Sequence, residues 1–406
     1  MDFPKLREIE AFPVDISGQR MIGLRDPLNF SSEVIAVPPH LYLTLVLMDG
    51  QHSIVDIQAA YMRSNGELIF RETIEDLLEK LDAALFLDND RFRDTREAIE
   101  DEFRRADVRA ATLAGKSYDS SPELLAGQID EFFAHPDGPG PLDPTKTGTA
   151  LKGIVAPHID FLRGGPCFAW AYKELVEGTD ADLFVLFGTA HAHTNGIFVV
   201  TDKDFDTPFG RVRCEREIVR AIEERVVADL RVDEFVHRGE HSLEFQTVFL
   251  SYLFRNKRDI SIVPILCGSF HSLLAADSSP MQDPHMQEFV AAVREALAGS
   301  GKKVCYVAGA DLAHVGPRFG DRQPVDDGAL RLLKADDLKM LETLEQADAE
   351  AFFSNIRADM DRRKICGLPP IYTMLQVMEA SSGKLFKYHY WHDPDGTVTF
   401  ASIGFY

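Results

Sequence analysis

The sequence predicts an α/β fold for most of the chain, a sheet sandwiched between helices, and three observations carry that expectation. Beyond Lys152, short apolar runs bounded by turns alternate with helical segments. The runs are continuously rich in Val, Ile and Phe, as strands buried on both faces must be. Several of them lead directly into histidine, which places polar chemistry beyond the ends of buried strands. With 406 residues and 45% apolar content, the chain can bury a large core and divides into two domains, placed at residues 1–104 and 105–406.

In the first domain, Met21 to Leu24 reads as a strand, and Pro38-Pro39 opens a helix through Leu41, Leu45 and Leu47 that Gly50 stops. Ser53 and Asp56 form a capping box for a helix from Ile54 to Met62, and a third helix carries Ile74, Leu77, Leu78 and Leu81. The stretch Leu85 to Phe92 reads as a hairpin. Helices followed by a hairpin predict a small winged-helix-like module, and Leu45 to Tyr61 (LVLMDGQHSIVDIQAAY) resembles PqqD-like domains, which implies peptide or partner binding. Glu97, Glu100, Asp101 and Glu102 argue against DNA as that partner. The charged segment Asp94 to Asp107 is expected as a solvated helix marking the boundary, with a protein-binding tail as the alternative. His135 to Pro141 holds too much Pro and Gly for a regular element and is expected as a surface loop.

In the second domain, strands are expected at Gly153–Ala156, Leu183–Phe187, Ile197–Val200, Ile260–Leu266 and Val304–Ala308. Helices are expected at Cys167–Val176, Glu215–Val226, Leu243–Phe254, Met286–Leu297, Leu338–Thr343, Ala349–Ile356 and Pro370–Ala380. Phe386–Tyr390 and Val398–Ile403 should form a closing hairpin that turns at Pro394-Asp395-Gly396.

Bulk composition excludes several function classes. A formal net charge of −22 repels phosphate backbones, so nucleic acid is not an expected partner. Five cysteines without CxxC spacing argue against a zinc ribbon and against a disulfide framework. No apolar run approaches the ~20 residues of a membrane span, and Met1 to Glu10 lacks the order of a signal peptide, so no membrane and a cytoplasmic location are expected.

Chemistry collects where strands end: Ala156-Pro157-His158, Gly188-Thr189-Ala190-His191-Ala192-His193, and Gly309-Ala310-Asp311-Leu312-Ala313-His314. Parallel strands align their carboxyl ends, so His158, His191, Asp311 and His314, together with His241, can share one pocket despite their separation in sequence. His158 and His191 are candidate metal ligands, with Asp311, His193 or His314 as a third. Gly239 to Glu244 precedes an apolar helix that Ser242 can cap. There His241 is a candidate general acid or base, oriented by Glu240 or by Glu244, a second catalytic candidate. Cys366, just before Gly367 and the helix at Pro369-Pro370, joins the pocket list. A helix N-terminus would lower its thiol pKa, and burial would leave it inert. Gly164-Gly165 and Gly188 are expected to permit tight turns or close backbone approach.

The ordered runs APHIDFLRGG (Ala156–Gly165), FGTAHAHTNG (Phe187–Gly196), TPFG (Thr207–Gly210), GEHSLEFQ (Gly239–Gln246), GADLAHVG (Gly309–Gly316) and ICGLPPI (Ile365–Ile371) resemble successive motifs of the MEMO family. Ala114 to Tyr118 is similar to that family's start, and the resemblance runs to Tyr406. In prokaryotes the family is known as AmmeMemoRadiSam system protein B, which implies AMMECR-type and radical SAM proteins as partners. The resemblance implies a fold similar to class III extradiol dioxygenases, which use non-haem Fe(II) on catechols. It also implies iron or copper held by two histidines and a cysteine. The histidines match His158 and His191, and the cysteine position is Ala313, which offers no donor. Two functions follow as expectations: a non-haem metal-dependent oxidoreductase with His241 moving protons, or a non-catalytic adaptor that binds a peptide or small ligand. Metal-assisted hydrolysis would use the same histidines with a bound water as nucleophile.

Overall fold

In the computed structural model, residues 2–146, 148–276, 278–393 and 395–406 are described, and the chain divides into two compact units with the boundary in sequence between Arg105 and Ala106. The first unit opens with an antiparallel sheet of β1 (Glu10–Ile16), β2 (Gln19–Arg25) and β3 (Val34–Val37), in that order. Four helices follow: α1 (Tyr42–Val46), α2 (Ile54–Asn65), α3 (Arg71–Ala83) and α4 (Asp90–Arg105). The capping box of α2 is present, Ser53 Oγ accepting from the Asp56 N–H while Asp56 accepts from the Ser53 N–H. Ile74, Leu77, Leu78 and Leu81 pack with Ile54, Ile57 and Tyr61 in one core.

The hairpin expected over Leu85 to Phe92 does not form. Leu85 turns the chain at a φ of 62°, Leu87 makes an isolated bridge to Leu6, and Asn89 Oδ1 accepts the Phe92 N–H as α4 begins. Phe86 and Leu87 are apolar because they plug the core, at 0% and 2% exposure, and not because they pair as strands. The hairpin of this unit is β1–β2, ahead of the helices.

The second unit begins with β4 (Val108–Arg109), α5 (Pro122–Ala134), β5 (Gly153–Ala156), α6 (Phe161–Gly178) and β6 (Leu183–Thr189). Then come β7 (Phe198–Val200), β8 (Asp204–Thr207), β9 (Gly210–Cys214), α7 (Arg216–Glu223), α8 (His241–Phe254) and β10 (Ser261–Cys267). The rest is α9 (His271–Ala275), α10 (Pro284–Ala298), β11 (Val304–Gly309), β12 (His314–Val315), α11 (Asp327–Glu345), α12 (Ala349–Arg357), α13 (Leu368–Val377), β13 (Gly383–Asp393) and β14 (Gly396–Phe405). β13 and β14 pair antiparallel as the expected closing hairpin, and Pro394 of its turn lies outside the described residues. Among the described residues, no helix is long and apolar enough to cross a membrane.

Eleven strands make one sheet in the order β12-β14-β5-β11-β6-β10-β9-β8-β4, with β13 beside β14 and β7 beside β10. Its centre, β5-β11-β6-β10-β9, is parallel, with β14 antiparallel to β5 on one side and β8 antiparallel to β9 on the other. Alternate side chains of these central strands enter opposite cores. Val155, Val185, Phe187, Val263 and Ile265 meet α7 and α10 to α13, whereas Ile154, Phe184, Leu186, Ile262 and Leu266 meet α5, α6 and α8. Burial on both faces explains why the strands read as unbroken apolar runs. Gly164 and Gly165, expected to permit tight turns and close backbone approach, lie in the early part of α6 and not in a turn, and they do allow close approach: an added Cβ would come within 2.5 Å of Ile159 and 2.4 Å of Phe132. Because the central strands are parallel, the segments after β5, β6 and β11 leave from one rim of the sheet.

Two outcomes test this packing. Phe249 of α8 stacks on Phe168 and Tyr172 with ring centroids 5.0 and 4.7 Å away. Phe249→Ala should therefore cost about 3–5 kcal/mol, read as a lower denaturant midpoint at unchanged slope; a cost below about 1 kcal/mol would contradict the close packing. His237, buried between α7 and α8, donates from Nε2 to the Val199 carbonyl at 3.1 Å. Burial pushes its pKa from 6.5 down to about 3. Below pH 6.5 the unfolded chain binds a proton that the folded chain refuses until about pH 3, so stability falls as pH drops through that window. His237→Gln should flatten this acid limb in unfolding curves taken at successive pH values, and an unchanged limb would refute the assignment.

Candidate metal centre

Close contact between α8 and the strand ends positions the site. A Cβ on Gly188 would lie 2.5 Å from Ser242 Oγ, and one on Gly309 would lie 2.3 Å from the Ser242 carbonyl, so bare backbone lets the first turn of α8 seat against β6 and β11. Ser242 Oγ donates to the Thr189 carbonyl at 2.9 Å, and Gln246 Nε2 donates to the Pro157 carbonyl at 2.8 Å. One helix thereby grips the exits of both β5 and β6. Ser242 was expected to cap α8, but the cap is Glu240, whose carboxylate accepts the Ser242 N–H at 3.0 Å.

The exits deliver His158 after β5 and His191 after β6, and α8 itself starts at His241. Their ring centroids are 4.9 Å (His158–His191), 5.2 Å (His158–His241) and 4.5 Å (His191–His241) apart. One ligating atom from each lies within 4.8 Å of the others. Hydrogen bonding fixes which nitrogens are free. His158 Nδ1 lies 2.9 Å from the Gly309 carbonyl, which only accepts, so Nδ1 carries the proton and Nε2 keeps its lone pair. Glu240 Oε1 sits 3.0 Å from His191 Nδ1 and 3.1 Å from His241 Nδ1, which leaves Nε2 free on both rings. Glu240 also accepts the His191 backbone N–H at 2.9 Å.

Electrostatics follow from these contacts. Burial, reinforced by the neighbouring His191 and His241, holds His158 well below its ordinary pKa and so neutral. Burial opposes charge on Glu240 and on His191 alike. Their mutual attraction, joined at Glu240 by His241, overrides it, holding Glu240 well below and His191 above the ordinary value. The His158 side chain is 2% exposed, against 39% for His191 and 35% for His241, so the group opens to solvent on one side. Three imidazoles with free Nε2 atoms, oriented through their Nδ1 protons, suit first-row transition ions such as iron, copper or zinc.

The other expected site residues are placed differently. Asp311 borders the group, Oδ2 lying 3.8 Å from His158 Nε2, but Oδ1 accepts the His158 backbone N–H at 2.9 Å and braces the β5 exit; burial raises its pKa to about 7. His314 lies outside the ligand group: it sits in β12 with Nδ1 3.1 Å from the Leu312 carbonyl, and burial lowers its pKa to about 4. His193 lies exposed on an irregular segment, not on an extension of β6, so nothing aligns it with His191. His241, expected in the same pocket as a general acid or base beside the ligands, joins the ligand group itself. Ala313 is fully buried, its N–H donating to Thr399 Oγ1 at 2.9 Å. Cys366 is in the pocket, Sγ 3.2 Å from His158 Nε2, and burial raises its thiol pKa well above the usual value, so of the two alternatives burial prevails over the helix N-terminus.

Glu244 lies away from the imidazoles' Nδ1 partners. Its carboxylate forms a fully buried ion pair with Arg109 and accepts from Tyr118 OH at 2.5 Å and from the Leu113 N–H at 2.9 Å. Its carboxylate is thereby directed to Arg109, Tyr118 and Leu113, where it braces α8, and it is Glu240 that bonds His241. Arg109 also donates to the His237 and Glu240 carbonyls at 2.8 and 2.9 Å. No local pattern marks Arg109 or Tyr118, because their partner is more than a hundred positions away.

The two glutamates should therefore respond oppositely. Glu240→Gln loses the negative charge and turns an NH2 group toward either the imidazoles or the His191 backbone N–H, so it should weaken metal affinity by roughly 10–100-fold in chelator competition. Glu244→Gln leaves Arg109 buried without its counter-charge and should cost about 3–5 kcal/mol in unfolding while sparing affinity. Unchanged affinity in Glu240→Gln would refute its orienting role.

Comparison with known proteins agrees with this architecture. A family model described as Memo-like protein matches residues 109–403. A MEMO1 family protein of Aquifex aeolicus (strain VF5) is 27% identical over 410 residues, covering 99% of this chain and 100% of the relative. MEMO1 family proteins of Pyrobaculum aerophilum and Methanothermobacter thermautotrophicus are 28% and 29% identical, covering 74% and 69% of this chain and 99% and 92% of themselves. The Aquifex protein thus aligns along the first unit as well, and the match from Arg109 to Ile403 spans the whole histidine site: this chain belongs to the Memo-like protein family.

Proposed function

We propose that the protein is a metal-dependent oxidoreductase of dioxygenase-like chemistry, with His158, His191 and His241 holding iron or copper. The observation that carries this reading is the convergence of three imidazoles whose Nδ1 atoms are all engaged, leaving three Nε2 donors on one side. Such an ion, when bound, supplies Lewis acidity and one-electron redox chemistry toward a catechol-like substrate and oxygen. The protein's own groups do the rest. Glu240 and the Gly309 carbonyl fix the rings, and the partly exposed His191 and His241 leave the approach from solvent open. Asp311, with its pKa raised to about 7 by burial, can hold or release a proton near neutral pH, with Oδ2 3.8 Å from His158 Nε2.

The same reading assigns the protein to an AmmeMemoRadiSam system, with AMMECR-type and radical SAM proteins as partners. It gives partner binding to the first unit, on its PqqD-like sequence and its exposed Tyr42, Val46, Val55 and Met62 side chains. These exposed groups also favour a second reading, a non-catalytic adaptor.

Metal analysis of untagged protein purified without oxygen separates the two. We expect stoichiometric iron or copper, lost in His158→Ala and His191→Ala, and oxygen uptake with simple catechols by the loaded protein. Protein that stays metal-free after anaerobic reconstitution would overturn the metal centre. Loaded protein that consumes no oxygen with any catechol would overturn the oxidoreductase and leave the adaptor.

A further inference from the structure

At the other end of α8 from the imidazoles, the second unit encloses a cavity of about 570 Å³. α8 begins at His241 and ends at Phe254, so at 1.5 Å per residue the cavity stands about 20 Å from the histidine group along the helix. Its floor is apolar: Phe133 of α5 and Leu253 of α8 are buried, and Leu142 is partly so. One wall is the end of the Pro- and Gly-rich segment that the sequence marks as a surface loop. Lys173 Nζ donates to the Pro139 and Pro141 carbonyls at 3.1 and 2.6 Å, and Trp170 Nε1 donates to the Asp137 carbonyl at 2.9 Å. The Gly140 N–H donates to the Phe133 carbonyl at 2.9 Å. Pro141 and Leu142 are therefore held as a preformed wall, and the volume falls within the roughly 300–1,000 Å³ of small-molecule sites.

The rim is basic, in a chain of net charge −22. Arg255, just past α8, lies against two rings, its guanidinium carbon 4.7 Å from the Phe209 centroid and 4.6 Å from that of Tyr252. Such contacts occupy the faces of a guanidinium and leave the N–H groups in its plane open to an acceptor. Asn256 then turns the chain at a φ of 57°, and Lys257 joins the same lining. Among the described residues, no carboxylate pairs with Arg255 or Lys257. The acids nearby are engaged elsewhere, Asp130 Oδ1 accepting from Tyr252 OH and Glu123 from the Ser121 hydroxyl at 2.9 Å. Nor do the last carbonyls of α8 take these side chains, since Ser251 and Phe254 accept the Arg255 and Lys257 backbone N–H groups at 3.0 Å each. The lining thus carries two uncommitted cations against the carboxylate of Asp130, an imbalance that a monoanion neutralises.

We propose that this cavity binds a small monocarboxylate with an apolar body. The carboxylate takes the Arg255 N–H fork and Lys257 Nζ, and the body lies against Phe133, Leu142 and Leu253. The site stands independently of any ion at the imidazoles.

Calorimetric titration of the full chain with 4-phenylbutyrate tests this. We expect saturable binding of one molecule per chain, weakened at least about tenfold in Arg255→Gln and by a smaller factor in Lys257→Gln. Both side chains are exposed, so both variants should keep the wild-type thermal midpoint. The neutral 4-phenylbutyramide, similar in shape, should bind at least about tenfold more weakly, and phenyl phosphate, a dianion at neutral pH, should also bind more weakly than the carboxylate. No saturable binding by the wild type up to about 10 mM, or undiminished binding in Arg255→Gln, would overturn the site. Equal or tighter binding of the amide or of phenyl phosphate would overturn the carboxylate as its ligand. Should Arg255→Gln lower the thermal midpoint through its lost ring contacts, Lys257→Gln and the wild-type preference for carboxylate over amide decide.

Discussion

One buried carboxylate ties the site together. Glu240 receives two backbone N–H groups, from His191 and Ser242, and two imidazole N–H groups, from His191 and His241. It caps α8, fixes the β6 exit and sets two tautomers at once. Its charge survives burial because the protons around it come from both imidazoles and from the positive end of a helix. Removing this group would free the rings to turn, and the Nε2 atoms would no longer be constrained to face one another.

Around that carboxylate, the protein spends a second buried charge on architecture. The Arg109–Glu244 pair fastens the start of the second unit to the helix that bears His241, with Tyr118 and Leu113 filling the remaining acceptor positions of Glu244. A buried ion pair of this kind contributes geometry more than net stability, since desolvation offsets much of the attraction. What it contributes here is the depth and angle at which α8 meets the strand ends.

Most of the second unit was legible in the sequence because parallel, doubly buried strands write continuous apolar runs, and because such strands deliver their following residues to one rim. That logic placed His158, His191, His241, Asp311 and His314 in one pocket from sequence alone; the first three form the ligand group, Asp311 borders it and His314 lies outside it. It could not rank them as ligands, since Asp311 is occupied by a backbone N–H and His241 is drawn inward by its neighbour Glu240. Glu244 looked catalytic by proximity in sequence, yet its carboxylate is taken up by Arg109, Tyr118 and the Leu113 N–H, partners more than a hundred positions away. In the first unit, Phe86-Leu87 satisfied the pattern of a strand for a reason unrelated to pairing, and β12 and β4, two residues each, are too short to leave any period.

The loop after β11 has one more property. Leu312 and Ala313 donate to the Thr399 carbonyl and hydroxyl at 2.8 and 2.9 Å, and Thr399 returns its N–H to Ala313 at 3.0 Å, so a strand 86 positions later secures the segment carrying Asp311. β14 also inserts itself between β12 and β5. Contact order is therefore concentrated at the site: residues around 158, 191, 241, 311 and 399 must all be present before the rim can close. During synthesis the first unit can fold while these histidines are still apart, and the centre assembles among the last features of the chain.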